Sequence, residues 1–223
     1  MEPRSLPLLI QPHVLFPGAM LPVRVGTQRQ RKLIKDVVAG DRLLGVLALP
    51  GLLSGEEPTP RLGQVGCVAR VVSAKKIPNR QVRVVVEGVE RFVVKSLVTP
   101  PESYQIAEVT PYFDFEESLA LLSTFAEEVR QFYARYLLAS GKIADAAREK
   151  ASQLPSDPIE LSMVLPAMLK LDDETGQRFL ASRSTLMRLR ELAALLAPAA
   201  SSAEASAEVH ARARSNGHGA RLG

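Results

Sequence analysis

The chain has 223 residues, of which 46% are hydrophobic, so it is long enough to bury a core as one large domain or two small ones. Its single cysteine, Cys67, excludes an internal disulfide, no apolar run reaches the ~20 residues of a membrane span, and residues 1–13 lack a signal-peptide pattern, so we expect a cytoplasmic protein with no membrane partner. The net charge of +4 is unevenly distributed, because residues 1–110 carry 15 basic and 9 acidic side chains.

Up to about residue 110 the sequence is typical of β-strands, in short apolar runs that turn residues separate. Apolar residues follow one another at 84–86 and 92–94, which indicates a closed or strongly curled sheet covered on both faces. One helix interrupts the strands, with Thr27 as a suitable N-cap and Gly40 as a stop. The predicted strands cover residues 6–10, 21–25, 43–49, 65–73, 82–88, 90–98 and 104–110.

Two segments of this half have unusual local patterns. In LFPGAMLPVRVG, Phe16 is expected to fill the core, while Pro17 and Gly18 form a turn that other residues would strain. In VEGVERF, Gly88 is expected to take a positive φ in a turn between two strands, and Arg91 to donate hydrogen bonds to loop carbonyls. These are structural roles, which the patterns favour over contact with a ligand.

A hairpin is predicted at the loop IPNRQ. Asn79 is its residue best able to take a left-handed conformation.

After Pro111 the apolar spacing becomes helical. Asp114 and Glu117 have the spacing of a capping box, and the apolar stripe of a long amphipathic helix begins at Leu119. The segment after residue 197 is rich in alanine and serine and has no apolar period, so it is predicted to be disordered. Further helices are predicted over 142–153, over about 158–170 with a bend at Pro166, and over 184–197.

The two unusual segments, in a chain with strands first and helices second, resemble the amino-terminal substrate-binding domain of Lon-type ATP-dependent proteases. The resemblance extends in order over residues 6–197 and departs from the family pattern at Gln11-Pro12. It implies an α+β fold, with a curled, PUA-like β pseudobarrel carrying one helix, followed by an α-helical bundle. The predicted division is a β-rich subdomain (1–110), a helical subdomain (111–197) and a disordered tail (198–223).

No catalytic machinery is evident in the sequence. A phosphate-binding loop of the form G-x-x-x-x-G-K-[ST] does not occur, and the three histidines with one cysteine offer no zinc ligand set. Acidic neighbours such as Asp172-Asp173-Glu174 are better explained by a position in a loop or at a helix start, where negative charge complements the helix dipole. We therefore expect a non-catalytic protein without catalytic residues, metal or cofactor, lacking the ATPase and Ser-Lys protease modules of a full Lon protease.

The resemblance implies a stand-alone module for protein quality control that binds unfolded or specific polypeptide clients, or acts as an adaptor of a resident protease. Leu52 and Leu53, in the loop PGLLSGEEPTP, are the candidate polypeptide contacts; if replacing them affects neither stability nor binding, a cleft between the β domain and the helices is the next candidate. The alternative function is RNA binding by the basic side chains of the β subdomain. The sequence does not predict the oligomeric state.

Overall fold

A computed structural model describes residues 3–49, 59–98, 104–139, 149–198 and 201. An amino-terminal sheet is followed by helices, which confirms the mixed α and β class of the fold. The strands are β1 (Arg4–Gln11), β2 (Met20–Val25), β3 (Leu43–Ala48), β4 (Val65–Ile77), β5 (Gln81–Val98) and β6 (Ile106–Pro111). The helices are α1 (Gln28–Ala39), α2 (Leu119–Ala139), α3 (149–152), α4 (Pro158–Leu169), α5 (Asp173–Ala181) and α6 (185–198).

The six strands form one sheet that closes on itself, because β5 is long enough to pair with three other strands. The first half of β5 pairs with β2 and the second half with β6. Strand β4 pairs antiparallel with most of β5. β4, β3, β1 and β6 thereby complete a ring of five strands with β5, in which β1 and β3 are parallel. Register shifts in the β4–β5 and β5–β6 pairs mark β-bulges, which bend strands and so favour closure.

The hairpin between β4 and β5 lies where the sequence predicts it. Asn79 has a φ of 61°, which confirms its left-handed conformation, and Arg80 follows it at 55°. The predicted break near Gly88 is wrong, however, since β5 runs without interruption from Gln81 to Val98.

Phe92 anchors one of the two groups of buried side chains in the sheet, together with residues of β1, β3, β4 and β6. Two glycines leave room for its ring. A Cβ at Gly45 would lie 2.9 Å from Phe92 Cζ, and a Cβ at Gly66 would lie 2.6 Å from the same atom. The second group of buried side chains contains Leu33, Ile34 and Val37 of α1, so the apolar face of that helix is part of the core.

The predicted ends of α1 are confirmed. Thr27 Oγ1 accepts a hydrogen bond from the Gln30 backbone N–H (3.2 Å), and Gln30 Oε1 accepts one from the Thr27 N–H (3.4 Å), which together form a capping box. The N–H of Gly40 bonds back to the Asp36 and Val37 carbonyls at the other end.

The capping box predicted at Asp114 and Glu117 is wrong. Helix α2 begins only at Leu119, and Asp114 pairs instead with Arg91. Glu117 accepts hydrogen bonds from Ser184 Oγ (2.6 Å) and the Leu186 N–H (3.1 Å), so it caps the start of α6. A carboxylate distant in sequence therefore caps α6, a contact that local spacing could not reveal.

Helices α4 and α6 lie where the sequence predicts them. Helix α4 contains Pro166 as expected, and α6 buries Leu189, Ala193 and Leu196. Helix α5 is not among the predicted helix ranges, although the acidic run at 172–174 was interpreted as a loop or a helix start and Asp172 is its N-cap. Most of the predicted helix 142–153 and most of the tail lie outside the described residues, while residues 198 and 201 are helical.

The chain divides into two compact units, each of which is discontinuous in sequence. The first contains Met1–Phe115 and Met163–Arg183, and the second contains Glu116–Ser162 and Ser184–Gly223. The predicted boundary at residue 110 had placed residues 163–183 with the helices that follow the sheet. In the structure they lie in the first unit, where the Gln177 side-chain amide donates to the Val65 carbonyl (3.0 Å) at the start of β4.

Candidate functional site

A tight turn before β2 forms the first part of the site. The Ala19 N–H donates to the Phe16 carbonyl (3.1 Å), and between them Pro17 and Gly18 occupy the central turn positions. Gly18 has a φ of +75°, a conformation that a side chain would strain. Phe16 is buried, so its side chain attaches the turn to the core.

Gly88 of β5 holds this turn against the sheet. Its N–H donates to the Ala19 carbonyl (2.9 Å), and its carbonyl accepts from the Gly18 N–H (2.9 Å). A Cβ at Gly88 would lie 2.1 Å from the Phe16 carbonyl oxygen, so glycine is required for close backbone approach. The positive φ predicted for Gly88 is wrong: among the described glycines, only Gly18 and Gly63 have one. The two sequence segments that carried the family resemblance thus meet at this point.

Arg91, three residues further along β5, is only 7% exposed. Its Nη1 donates to the Leu180 carbonyl (2.9 Å) and the Ser182 carbonyl (2.5 Å), and its Nη2 pairs with the Asp114 carboxylate. Arg91 therefore ties the end of α5 and the segment after β6 to the sheet. The guanidinium is satisfied by a carboxylate and two carbonyls, as a buried charge must be.

A cleft of about 430 Å³ opens beside the turn, within the first unit. One wall is the segment before and at the start of β2, where Leu15 and Phe16 are buried and Met20 is 55% exposed. The opposite wall is the end of α4 and the start of α5. Its residues include Pro166, Ala167, Lys170, Leu171 and Gly176.

The two walls are held together by packing and by one polar contact. A Cβ on Gly176 of α5 would lie 3.3 Å from Val14 Cγ2, so this helix packs closely on the turn segment. At the rim, His13 Nδ1 lies 3.2 Å from Asp173 Oδ1. Asp172 caps α5 by accepting from the Thr175 N–H (2.9 Å), and this bond lowers the pKa of its carboxyl group. The cleft is thus apolar inside and charged at the edge.

The sequence located only part of this arrangement. Phe16, Pro17 and Gly18 form the turn beside the cleft, and Gly88 and Arg91 support it, whereas Leu52 and Leu53 lie outside the described residues. Met20 and the second wall were missed. The run Asp172-Asp173-Glu174-Thr175, which has the acidic start and N-cap of a helix, was the available signal for α5.

A basic surface lies on the outward face of β2, β5 and β4. Arg24 is directly opposite Arg83, and Arg83 is directly opposite Lys75. All three residues are exposed. No described carboxylate forms an ion pair with any of them.

Reactive groups are scarce in the described part of the chain. Cys67 is fully buried, and burial raises the pKa of its thiol to about 12, so it is not a nucleophile. The described residues contain no cluster of three histidine, cysteine or acidic side chains able to bind a metal ion. Among them, too, no helix combines the length and apolar character needed to cross a bilayer.

Residues 5–197 match the family model of the ATP-dependent protease La (LON) substrate-binding domain. The chain belongs to the LON substrate-binding domain family. That match includes the turn, Gly88, Arg91 and both walls of the cleft. The sequence resemblance to the Lon amino-terminal domain is thereby confirmed.

Full-length Lon proteases are among the similar sequences. Lon protease 4 of Sorangium cellulosum is 31% identical over 207 residues, which is 91% of this chain and 25% of that protein. Lon protease of Cytophaga hutchinsonii is 30% identical over 131 residues, 56% of this chain and 16% of the relative. The LON substrate-binding domain thus spans a quarter or less of these relatives.

Solved structures show the same fold. The amino-terminal domain of Mycobacterium avium complex Lon protease has a TM-score of 0.65 at 20% identity, covering 85% of this chain and 96% of that one. A Lon N-terminal domain protein from Xanthomonas campestris has a TM-score of 0.57 at 23% identity, covering 86% and 98%.

Proposed function

We propose that this LON substrate-binding domain is a non-catalytic module that binds polypeptide clients through the cleft between the turn 13–21 and the α4–α5 segment. The observation that carries the proposal is the exposed Met20 beside buried apolar side chains in a cleft with a charged rim. An apolar side chain of an unfolded client would lose its water contact there, which contributes roughly 1.5–3 kcal/mol before ordering costs.

The family and the relatives support a role in protein quality control. The family is that of the substrate-binding domain of an ATP-dependent protease, and the relatives named above are Lon proteases. The partners proposed for this chain are therefore polypeptide clients, or a protease for which it acts as an adaptor, in the cytoplasm. The finer fold assignment, a PUA-like pseudobarrel with a helical bundle, is supported by the ring of five strands.

Substitution of Met20 tests the cleft. Because Met20 is 55% exposed, Met20→Ser should leave the unfolding midpoint nearly unchanged while weakening binding of an unstructured, leucine-containing peptide about fivefold, or roughly 1 kcal/mol. Fluorescence anisotropy gives the affinity. Met187→Ser is the matched control, since Met187 is 57% exposed and lies in the second unit. Equal affinities for the two variants would contradict the cleft as the binding site.

The loop leucines remain a separate prediction. Replacing Leu52 and Leu53 together by serine should weaken polypeptide binding with little change in thermal stability, since a proline- and glycine-bounded loop is expected to expose them. Loss of stability would instead assign them to the core. No change in either property would leave the cleft as the sole candidate surface.

RNA binding is the second candidate function, and the basic surface is the observation in its favour. Proteins that bind single strands combine such charge with aromatic side chains on which bases stack. Residues 24–35 and 74–86, which hold the basic side chains, contain no aromatic residue. This composition favours the polypeptide function, and a gel shift with unrelated RNAs at low salt tests the alternative.

A further inference from the structure

Three cations are aligned across neighbouring strands on the outward face of the sheet. Strand register places Arg24 of β2 opposite Arg83 of β5, and Arg83 opposite Lys75 of β4. Directly opposed residues project from the same face, and like charges in such pairs are destabilising. A row of three cations without a described carboxylate partner is therefore unfavourable for the free domain and suited to an anionic ligand.

The start of α1 adds to the same positive region. The first turn of this helix has no acidic residue, although it is the end of a helix that negative charge normally stabilises. Arg31, in that turn, donates to the Gly26 carbonyl and to the Arg80 carbonyl (3.1 Å), which joins α1 to the β4–β5 hairpin. Residues 24–35 and 74–86 together hold nine basic side chains and no acidic one.

The cation row and the cleft lie on one continuous surface of the first unit. Met20, Pro22 and Arg24 are exposed and alternate along β2 with half-buried Leu21 and buried Val23 and Val25, so the three exposed residues face outward. Met20 borders the cleft, and Arg24 belongs to the row. At ~3.3 Å per residue the four steps between them span ~13 Å. The row between them, Pro22, Val85 and Ser73, has no charge.

We propose that this surface selects client segments that carry acidic residues about four positions from an apolar residue. In an extended segment, side chains four positions apart lie on one face, ~13 Å from each other. The apolar side chain would occupy the cleft at Met20 while the carboxylates pair with Arg24, Arg83 and Lys75. This inference rests on the proposed polypeptide function and defines which polypeptides the site binds.

The geometry favours an acidic polypeptide over a nucleic acid. The three cations lie near an apolar cleft, and one uncharged row of residues separates them from it. The site therefore pairs the cations with an apolar cleft and not with aromatic side chains on which bases could stack. An extended peptide supplies an apolar group and an anion at that separation. A nucleic acid carries a phosphate on every nucleotide and has no apolar side chain for the cleft.

Three labelled peptides of about 12 residues test the charge preference. Each carries one leucine in a serine and glycine background, with two glutamates, two glutamines or two lysines centred four positions from the leucine. Because each exposed ion pair contributes little on its own, we expect the glutamate peptide, which has two carboxylates, to bind about fivefold more tightly than the glutamine peptide at low salt. The difference should disappear in about 1 M salt, where the Debye length is ~3 Å.

Reversing one charge of the row tests whether the row causes the preference for the glutamate peptide. In Arg83→Glu the net charge of the row falls from +3 to +1, so the glutamate peptide should lose most of its fivefold advantage over the glutamine peptide; an unchanged advantage would overturn the proposal. Lys150→Glu, at an exposed position in the second unit, makes the same change in net charge and should keep the original advantage. Should Arg83→Glu fail to fold, the glutamate and glutamine peptides still test the proposal on the unaltered protein.

The outcomes separate this inference from the proposed function. If replacing the leucine by serine does not weaken binding, the polypeptide function of the cleft fails. If the leucine matters but glutamate and glutamine peptides bind equally, only the acidic preference is overturned. Tighter binding of a single-stranded RNA, lost in Arg83→Glu, would also overturn it and assign the row to nucleic acid.

Discussion

Gly88 is a residue at which the backbones of two distant parts of the chain approach each other closely. The sequence suggested a glycine required for a positive φ, and the structure gives a different reason, since the missing Cβ makes room for the Phe16 carbonyl. The distinction has consequences for mutation. A glycine needed for its φ is strained by any side chain, whereas one needed for space displaces a specific neighbour.

Gly88→Ala should destabilise the protein by ~3 kcal/mol, because its Cβ would lie 2.1 Å from a backbone oxygen that no rotamer change can move. Denaturant unfolding measures the loss. Gly63→Ala is the control: Gly63 has a φ of +79° and open space around its Cβ position, so only ~1–2 kcal/mol of backbone strain is expected. An equal cost for both variants would mean that the turn shifts away from Gly88 readily.

At the scale of elements, one buried arginine joins β5, the end of α5 and the segment after β6. Arg91 was expected to bond loop carbonyls, and it donates to the Ser182 carbonyl just after α5 and also to the Leu180 carbonyl in the last turn of that helix. Its pairing with Asp114 was not expected, since local spacing suggested a helix cap there. The same applies to Glu117, whose partners in α6 are almost seventy residues away. Carboxylates near a predicted helix start are thus assigned correctly only when their tertiary partners are known.

Arg91→Ala should cost ~3–5 kcal/mol, because it leaves the Asp114 carboxylate and two carbonyls without their donor. Arg91→Lys should recover only part of that loss, since an ammonium group lacks the planar fork. Arg4→Ala is the matched control at an exposed ion pair, 3.5 Å from Glu90, and should cost less than ~1 kcal/mol. Thermal or denaturant unfolding distinguishes these values. A small cost for Arg91→Ala would show that α5 is held by apolar packing alone.

At the scale of the whole molecule, the sheet unit is completed by a segment from the helical half of the chain. Residues 163–183 supply one wall of the cleft, the acceptors of Arg91 and the Gln177 bond to β4. Unit boundaries therefore do not coincide with the change from strands to helices at Pro111. A compositional change along the chain marks a change of secondary structure, and it does not by itself mark a unit of folding.

A fragment that ends at residue 115 should consequently be unfolded or at least ~3 kcal/mol less stable than a chain of residues 1–198, because it removes the Leu180 and Ser182 carbonyls that accept hydrogen bonds from buried Arg91. Dispersion of amide resonances and denaturant unfolding provide the comparison. The fragment should also fail to bind the leucine-containing peptide. A stably folded 1–115 fragment would support the simpler division near residue 110.

The sequence by itself determined the strand-rich first half, the caps of α1, the left-handed Asn79 and the family, because each depends on local spacing, turn chemistry or motifs read along the chain. Tertiary structure alone decided the closure of the sheet by β5, the reason for Gly88, the partners of Asp114 and Glu117, and the cleft at Met20. These features join residues far apart in sequence, and their energies depend on which backbone atoms meet in space. Local pattern restricts what each segment can form, whereas packing between segments selects its partner.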